Sequence, residues 1–218
     1  MNENIEKPIL YYDMDGVIAD FRKRVKQIHP SIKFEDDTHS PLEQEDDLIT
    51  KICLENPTIF HDLEPMPGAI DAVKELSQFY DTHFLSTPLY GLPESYSGKR
   101  IWLENHLGDL AKKKLTLTHN KHLSIGCYLI DDRKKHGAGK FTGKHIHFGT
   151  DQFPNWDVVV KYLKDEYYKI HEDIHQSDFS LANEILKSVL FFTDNSFIKE
   201  RILEMMPYMG RKRKVRFL

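Results

Sequence analysis

The chain has 218 residues, 40% hydrophobic and 29% charged, which is the balance of a soluble globular protein with one ordinary domain and an insertion. Its formal net charge of -4 argues against a general affinity for nucleic acid polymers or acidic membranes, and no apolar run approaches the roughly 20 residues that span a bilayer. Cys53 and Cys127 are far apart and no apolar signal segment opens the sequence, so we expect no disulfide framework and a cytoplasmic location.

The first predicted strand, Ile9–Tyr12, runs directly into two carboxylates, Asp13 and Asp15, which are followed by Gly16. At the carboxyl end of a central strand, this spacing can aim one carboxylate and the next backbone carbonyl at a single cation. Oxygen ligands of this kind suit Mg²⁺. Gly16 removes the side chain at a point where the backbone must turn sharply and approach a ligand.

Residues 21–65 differ in character from the rest of the sequence. They contain two acidic runs and apolar residues at helical spacing, among them Leu48, Ile49 and Ile52. Because this segment follows the first strand directly, it predicts a small helical cap inserted over the ends of the strands.

Beyond the cap, short apolar runs alternate with helical patterns, which predicts a parallel α/β sheet with helices on both faces. The predicted helices span residues 68–80, 98–107 and 157–168. The further predicted strands span residues 83–86, 115–118, 128–130 and 145–148. Residues 1–20 and 66–168 together form the predicted core domain.

Polar side chains follow the predicted strands at the edge where ligands bind in open α/β sheets. Ser86 and Thr87 end one strand, Lys121 follows the next, and Asp131 and Asp132 end another. Taken singly, they fit a turn, a solvated lysine and a loop cap. Together with the first two aspartates they supply a nucleophile, hydroxyl donors, a cation and metal-binding acids. Phosphoryl transfer needs little beyond such positioning and charge neutralisation.

Six segments in this order resemble one family. They are DMDGVIADF (13–21), DLEPMPGAIDAV (62–73), FLSTP (84–88), KRIWLENHLG (99–108), LTHNK (117–121) and LIDDR (129–133). They are similar to the 5'(3')-deoxyribonucleotidases of the haloacid dehalogenase-like (HAD) superfamily, the cytosolic and mitochondrial phosphatases that prefer pyrimidine nucleoside monophosphates. The resemblance covers about residues 9–165. It implies a HAD-like three-layer Rossmannoid parallel sheet with a small helical cap after the first strand.

The resemblance also implies roles for the first two aspartates. Asp13 would be the nucleophile that takes the phosphoryl group as an aspartyl-phosphate. Asp15 would protonate the leaving ribose oxygen and then deprotonate the water that hydrolyses the intermediate. The Mg²⁺ ligands would be Asp13, the Asp15 carbonyl and Asp132. The sequence leaves open whether Asp131, beside it, ligates the metal instead.

The phosphate group would be held by Gly16, Ser86, Thr87 and Lys121. Phe21 lies where the family has a phenylalanine that stacks on the base, with core packing as the alternative. Where aromatic residues are expected further along the cap, this chain has Leu48 and Ile49. That departure leaves the base and sugar preference open.

The sequence therefore predicts a Mg²⁺-dependent phosphomonoesterase that hydrolyses 5'-(deoxy)nucleoside monophosphates. Two alternatives remain: a HAD phosphatase for a different small phosphate ester, and a non-catalytic phosphate-binding regulatory module. A module of the second kind typically lacks the nucleophile or the acid, whereas Asp13 and Asp15 are both present.

His145 and His147 share one face of a predicted strand because side chains alternate along a strand. Two imidazoles on one face could suggest a metal pair. No third ligand is evident nearby in the sequence, so packing or surface placement is the favoured interpretation.

Residues 169–218 form a predicted helical extension that ends in a basic segment, which we expect to be a solvated terminus. Two helical patterns within it carry apolar residues at helical spacing. These are Leu181, Ile185, Leu186, Val189 and Leu190, followed by Ile198, Ile202, Leu203 and Met206. Exposing aliphatic side chains forfeits roughly 1.5–3 kcal/mol each. We therefore expect residues 178–206 to pack on the phosphatase domain or against a second copy in a homodimer.

Truncation after Tyr168 should lower the thermal stability or change the oligomeric state, because it removes these apolar stripes. Turnover per folded molecule should stay unchanged, since all predicted catalytic residues precede residue 135. Calorimetry, light scattering and phosphate release test the three quantities. A truncated protein of equal stability and unchanged oligomeric state would show that the stripes bury nothing important.

Overall fold

The structure is a computed structural model that describes residues 7–32, 34, 43–192 and 199–200. The chain divides into two compact units, Met1–Lys164 and Asp165–Leu218. The strands are β1 (Ile9–Tyr12), β2 (Asp81–Ser86), β3 (Leu115–Leu117), β4 (Tyr128–Asp131) and β5 (Lys144–His147). The helices are α1 (Phe21–Ile28), α2 (Glu43–Glu55), α3 (Ala69–Leu76), α4 (Pro93–Leu107) and α5 (Trp156–Phe192).

The five strands form one parallel sheet in the order β3-β2-β1-β4-β5. Strand β1 is central, and its Tyr12 is in register with Phe84 of β2 and Ile130 of β4. All four residues of β4 are buried, as expected for an interior strand of a parallel sheet. This register brings the carboxyl ends of β1, β2 and β4 to the same edge, and the predicted α/β fold is confirmed.

The two faces of the sheet are covered by different elements. On one face, the ring of Tyr12 lies 5.8 Å from that of Phe84 and 6.0 Å from that of Trp156, between ring centroids. On the other face, Leu85 and Leu129 pack in a cluster with Ala138 and Phe141. Ala138 begins a short 3₁₀ helix, Ala138–Lys140, which contributes to the layer on this face.

The predicted cap between β1 and α3 contains two helices, α1 and α2. The segments that leave and re-enter the core are hydrogen-bonded to each other. Ala19 forms an antiparallel bridge with Pro65, the amide of Asp20 donates to the carbonyl of Glu64 (2.7 Å), and that of Met66 donates to Ile18 (2.9 Å). The cap is thus closed at its base beside β1.

Two predicted helix boundaries differ from the structure. Helix α4 begins at Pro93, five residues before the predicted start at residue 98, because proline suits the first turn of a helix. Gly98, the first residue of the predicted helix, lies inside the observed one. Helix α5 continues beyond residue 168 to Phe192, so the first helical pattern of the extension belongs to the same helix.

The predicted packing of the extension stays a prediction. In the described part of α5, Leu181 and Ile185 are exposed, at 59% and 55% of their surface. Most of the second helical pattern and the basic segment lie outside the described residues. Within the described ranges, no helix combines the length and the apolar character that spanning a membrane requires.

Candidate active site

The loop after β1 is held rigidly by the backbone. The amide of Asp13 donates to the carbonyl of Ile130 (2.8 Å), and the amides of Ile18 and Ala19 both donate to the carbonyl of Met14 (2.9 Å). The indole of Trp156 in α5 donates to Val17 within the same loop (3.0 Å). These bonds fix the backbone around the two predicted catalytic aspartates.

Lys121 joins two carboxylates from different strands. Its ammonium lies 2.9 Å from Oδ1 of Asp13 and 2.5 Å from Oδ2 of Asp131, and the residue is 3% exposed. Burial opposes the charge of Lys121, but the two carboxylates outweigh it and raise its pKa to about 12. Burial likewise opposes the charge of Asp13, yet Lys121 and Lys99 hold its pKa below the usual range. The pair is therefore ionised at neutral pH.

A second buried lysine, Lys99 in α4, was not assigned a role from the sequence. Its ammonium donates to Oδ2 of Asp15 and to Oγ of Ser86 (3.1 Å), and the residue is 1% exposed. The signal was present: Lys99 precedes Trp102 and Leu103 by three and four residues, which places a charge on the buried face of a helix. Each of the two aspartates thus has its own lysine.

Gly98 explains how α4 comes so close to the cap. A Cβ atom at this position would lie 2.6 Å from Cδ2 of His61 and 2.9 Å from Cβ of Phe60. The absence of a side chain lets the segment before α3 pack directly on α4. The ammonium of the neighbouring Lys99 then lies 5.1 Å from the ring centroid of Phe60, within range of a cation–π interaction.

Three carboxylates gather at the carboxyl ends of β1 and β4. One oxygen from each of Asp13, Asp131 and Asp132 lies within 4.8 Å of the other two. Burial and the negative charge of Asp13 raise the pKa of Asp132 to about 8, and the same two causes raise that of Asp131. Such crowding of negative charge fits a bound cation, and an all-oxygen set is typical of Mg²⁺. Asp15 is not in this cluster.

Gly16 makes room for one of these carboxylates. Its φ of +78° is unfavourable for other residues, and a Cβ atom there would lie 2.4 Å from Oδ2 of Asp132. Its amide donates to the carbonyl of Ala19 (2.9 Å). The amide of Gly16 is thus bonded within the loop, and the predicted role of Gly16 in holding phosphate stays a prediction.

The two predicted hydroxyl groups have different surroundings. Ser86 is 1% exposed, and its hydroxyl accepts the bond from Lys99, so it lies with the charged groups. The hydroxyl of Thr87 donates to the backbone carbonyl of Thr118 (2.9 Å), which ties β2 to the end of β3. In this structure the Thr87 hydroxyl proton is therefore committed to the backbone.

The cap contributes a stacked aromatic pair. Phe21 of α1 is 7% exposed and lies parallel to Phe60, with centroids 5.5 Å apart and an angle of 7° between the rings. No role was assigned to Phe60 from the sequence. Cys53 of α2 lies near the same region: burial and the charge of Asp15 raise the pKa of its thiol to about 12. A thiol of that pKa is not a nucleophile at neutral pH.

The family model and the related proteins that match this chain have the same kind of description. The model of a family described as "5' nucleotidase, deoxy (Pyrimidine), cytosolic type C protein" matches residues 7–156. A Vibrio phage KVP40 protein with the provisional name 5'(3')-deoxyribonucleotidase is 44% identical over 161 residues, covering 74% of this chain and 87% of its own.

Two cellular relatives extend this similarity. The human "5'(3')-deoxyribonucleotidase, cytosolic type" is 33% identical over 165 residues, which cover 68% of this chain and 76% of the human protein. A protein of Bordetella bronchiseptica with the same provisional name as the phage protein is 35% identical over 152 residues, covering 63% of this chain and 81% of its own.

The raised pKa of Asp132 predicts a pH-dependent stability of the metal-free protein. Its folded value of about 8 exceeds the usual 3.8, so the folded state keeps a proton that the unfolded state loses, and stability falls as pH rises from about 4 to about 8. Asp132→Asn removes this loss. Its thermal midpoint in EDTA should exceed that of the wild type by several degrees near pH 9 and by much less near pH 5.

Asp109→Asn is the matched control, because that carboxylate is fully exposed at the end of α4. Its midpoint should follow the wild type at both pH values. Mg²⁺ should restore stability at high pH in the wild type and less so in Asp132→Asn. A difference between Asp132→Asn and wild type that does not change with pH would contradict the assignment.

Proposed function

The chain belongs to the family of deoxy (pyrimidine) 5' nucleotidases of cytosolic type C, and we propose that it hydrolyses 5'-(deoxy)nucleoside monophosphates to nucleoside and phosphate. The reaction uses Mg²⁺ and passes through an aspartyl-phosphate. The observation that carries this proposal is the separate pairing of the two aspartates. Asp13 belongs to the carboxylate cluster and pairs with Lys121, whereas Asp15 lies outside the cluster and pairs with Lys99.

This arrangement suits a nucleophile and a proton carrier in one site. Asp13 is ionised and buried, so its carboxylate is poorly solvated and ready to attack phosphorus. Asp15 is less enclosed, with 26% of its side chain exposed against 11% for Asp13, and its Oδ1 has no hydrogen-bond partner among the described residues, so it is available to a leaving oxygen. The same residue type thus serves two functions because the surroundings differ.

The first step transfers the phosphoryl group to the protein. An oxygen of Asp13 forms a bond to phosphorus as the bond to the ribose oxygen breaks, and Asp15 gives that oxygen a proton. Lys99, which bonds to Asp15, is also close enough to Ser86 to neutralise charge on a phosphate held there. Lys121 neutralises charge on the nucleophile side.

The second step releases phosphate. Asp15, now ionised, takes a proton from a water molecule, whose oxygen attacks the phosphorus of the aspartyl-phosphate. The bond between phosphorus and Asp13 breaks, and the carboxylate is regenerated. Asp13, Asp132 and Asp131, with the carbonyl of Asp15, would hold the metal. When bound, Mg²⁺ supplies positive charge that offsets the charge of the phosphate oxygens.

The residues of the cap bear on which phosphate esters the site would accept. The stacked pair of Phe21 and Phe60 lies beside Lys99 and hence near the leaving-group side of the site. Both rings are almost completely buried, at 7% and 4% exposure, which fits core packing, so the stacking of Phe21 on a base stays a prediction. Leu48 and Ile49, which stand where aromatic residues are expected, are half-buried and offer aliphatic contacts instead. This difference favours, as a second candidate, a HAD phosphatase for a small ester with a less aromatic leaving group.

A panel of nucleoside monophosphates and sugar phosphates, assayed for phosphate release with Mg²⁺ or EDTA, tests the proposal. We expect turnover of dUMP or dTMP, loss of activity in EDTA, and a fall of about a thousandfold or more in Asp13→Asn. Asp109→Asn serves again as the exposed control. Turnover of sugar phosphates alone would replace the substrate with the second candidate, and no turnover of any ester would favour the regulatory module.

The pairing of Lys99 with Asp15 and Ser86 predicts that this lysine is required for turnover. Lys99→Met removes a buried positive charge from the phosphate side of the site, and kcat/KM should fall by about a hundredfold or more. Lys112→Met is the control, since that lysine follows α4 and is mostly exposed. Equal kcat/KM for both variants, with folding confirmed by circular dichroism, would remove Lys99 from the site.

A further inference from the structure

Strand β5 carries two histidines that contact the backbone of the acidic pair. Ile146 is fully buried, and His145 and His147 flank it on the opposite face with ring centroids 5.4 Å apart and an angle of 26°. The favoured interpretation from the sequence was packing or surface placement. The structure adds a directed contact: Nε2 of His145 lies 3.3 Å from the carbonyl oxygen of Asp131, and Nε2 of His147 lies 2.9 Å from that of Asp132.

The chemistry of these contacts fixes the state of both rings. A carbonyl oxygen only accepts hydrogen bonds, so each Nε2 atom must carry a hydrogen and donate it. The carbonyl of Asp131 accepts a second bond, from the amide of Phe148 (3.0 Å). Strand β5 therefore donates to two successive carbonyl groups of the segment that bears the acidic pair.

The bond from His147 to the carbonyl of Asp132 lies beyond the last residue pair of β4 and β5. The register of β4 with β5 ends at Asp131, opposite His147, so Asp132 is one residue beyond the last strand pair. Its side chain is crowded by the carboxylates of Asp13 and Asp131, and like charges at this distance repel. A bond from His147 to the carbonyl of Asp132 opposes that repulsion by fixing the peptide group.

We propose that His147, with His145 stacked on it, is a positioning residue that orients Asp132 toward the cation site. This inference rests on the proposed function, because Mg²⁺ is the cation of that proposal. His147 contacts the backbone of Asp132 and is not one of the three carboxylate residues that would hold the metal. Residues that hydrogen-bond to a metal ligand without binding the metal typically change the metal affinity by about 10–100-fold when they are removed.

Two substitutions separate the hydrogen bond from the ring. His147→Gln keeps an N–H donor at a similar distance from the backbone but loses the aromatic stack, whereas His147→Phe keeps the stack and loses the donor. The readout is the Mg²⁺ concentration that gives half of the rise in thermal midpoint, measured on metal-free protein without substrate. We expect this concentration to rise about tenfold in His147→Phe and to stay close to wild type in His147→Gln.

His83→Phe is the matched control. His83 lies in β2, and its Nε2 pairs with the side chain of Asp81 (3.0 Å) at the start of that strand, away from the acidic pair. Its Mg²⁺ response should equal that of the wild type. If His147→Phe does not fold, His147→Met also lacks the donor and replaces it with the same expectation.

The outcomes distinguish this inference from the proposed function. A wild-type protein that shows no Mg²⁺ response would remove the metal from the proposed function, and this inference with it. A wild-type response that is unchanged in His147→Phe would overturn the positioning role alone. An equal loss in His147→Gln and His147→Phe would assign the effect to the imidazole ring rather than to its hydrogen bond, and would overturn it as well.

Discussion

The ion pairs of Lys121 are the interaction on which the rest of the site depends. One ammonium group compensates carboxylates from β1 and β4, and all three groups are almost completely buried. Removing one partner from such a cluster leaves an uncompensated charge in a poorly solvated interior, which is far more costly than the net gain from forming it. The pairing of β1 with β4 places Asp13 and Asp131 side by side, so that one lysine reaches both.

The site contains two buried lysines, and they bond to different aspartates. The second lysine approaches from α4 and bonds to Asp15 and Ser86, whereas Lys121 bonds to Asp13 and Asp131. Two aspartates separated by a single residue therefore experience different fields.

The strand ends could be predicted from sequence, and so could most of the site. Apolar runs locate β1 and β4, and the residues that follow them in a parallel sheet must meet at one edge. Lys99 was missed because it arrives from the side of a helix, where its role depends on how α4 packs. The stack of Phe21 on Phe60 depends on tertiary contacts between distant segments, which periodicity does not encode. The start of α4 at Pro93 was not predicted either, because the helical pattern was read only from Gly98 onward.

The hydrogen-bonded base of the cap has a consequence for how such proteins diversify. Because the insertion leaves and re-enters through the paired residues Ala19 and Pro65, the sheet is joined to it at a single closed point. An insertion of another length or sequence could be exchanged at that junction while the backbone bonds around Asp13 stay in place, provided that it still packs on α4 at Gly98. Selection could then alter which ester is admitted while the bond-breaking apparatus is inherited unchanged.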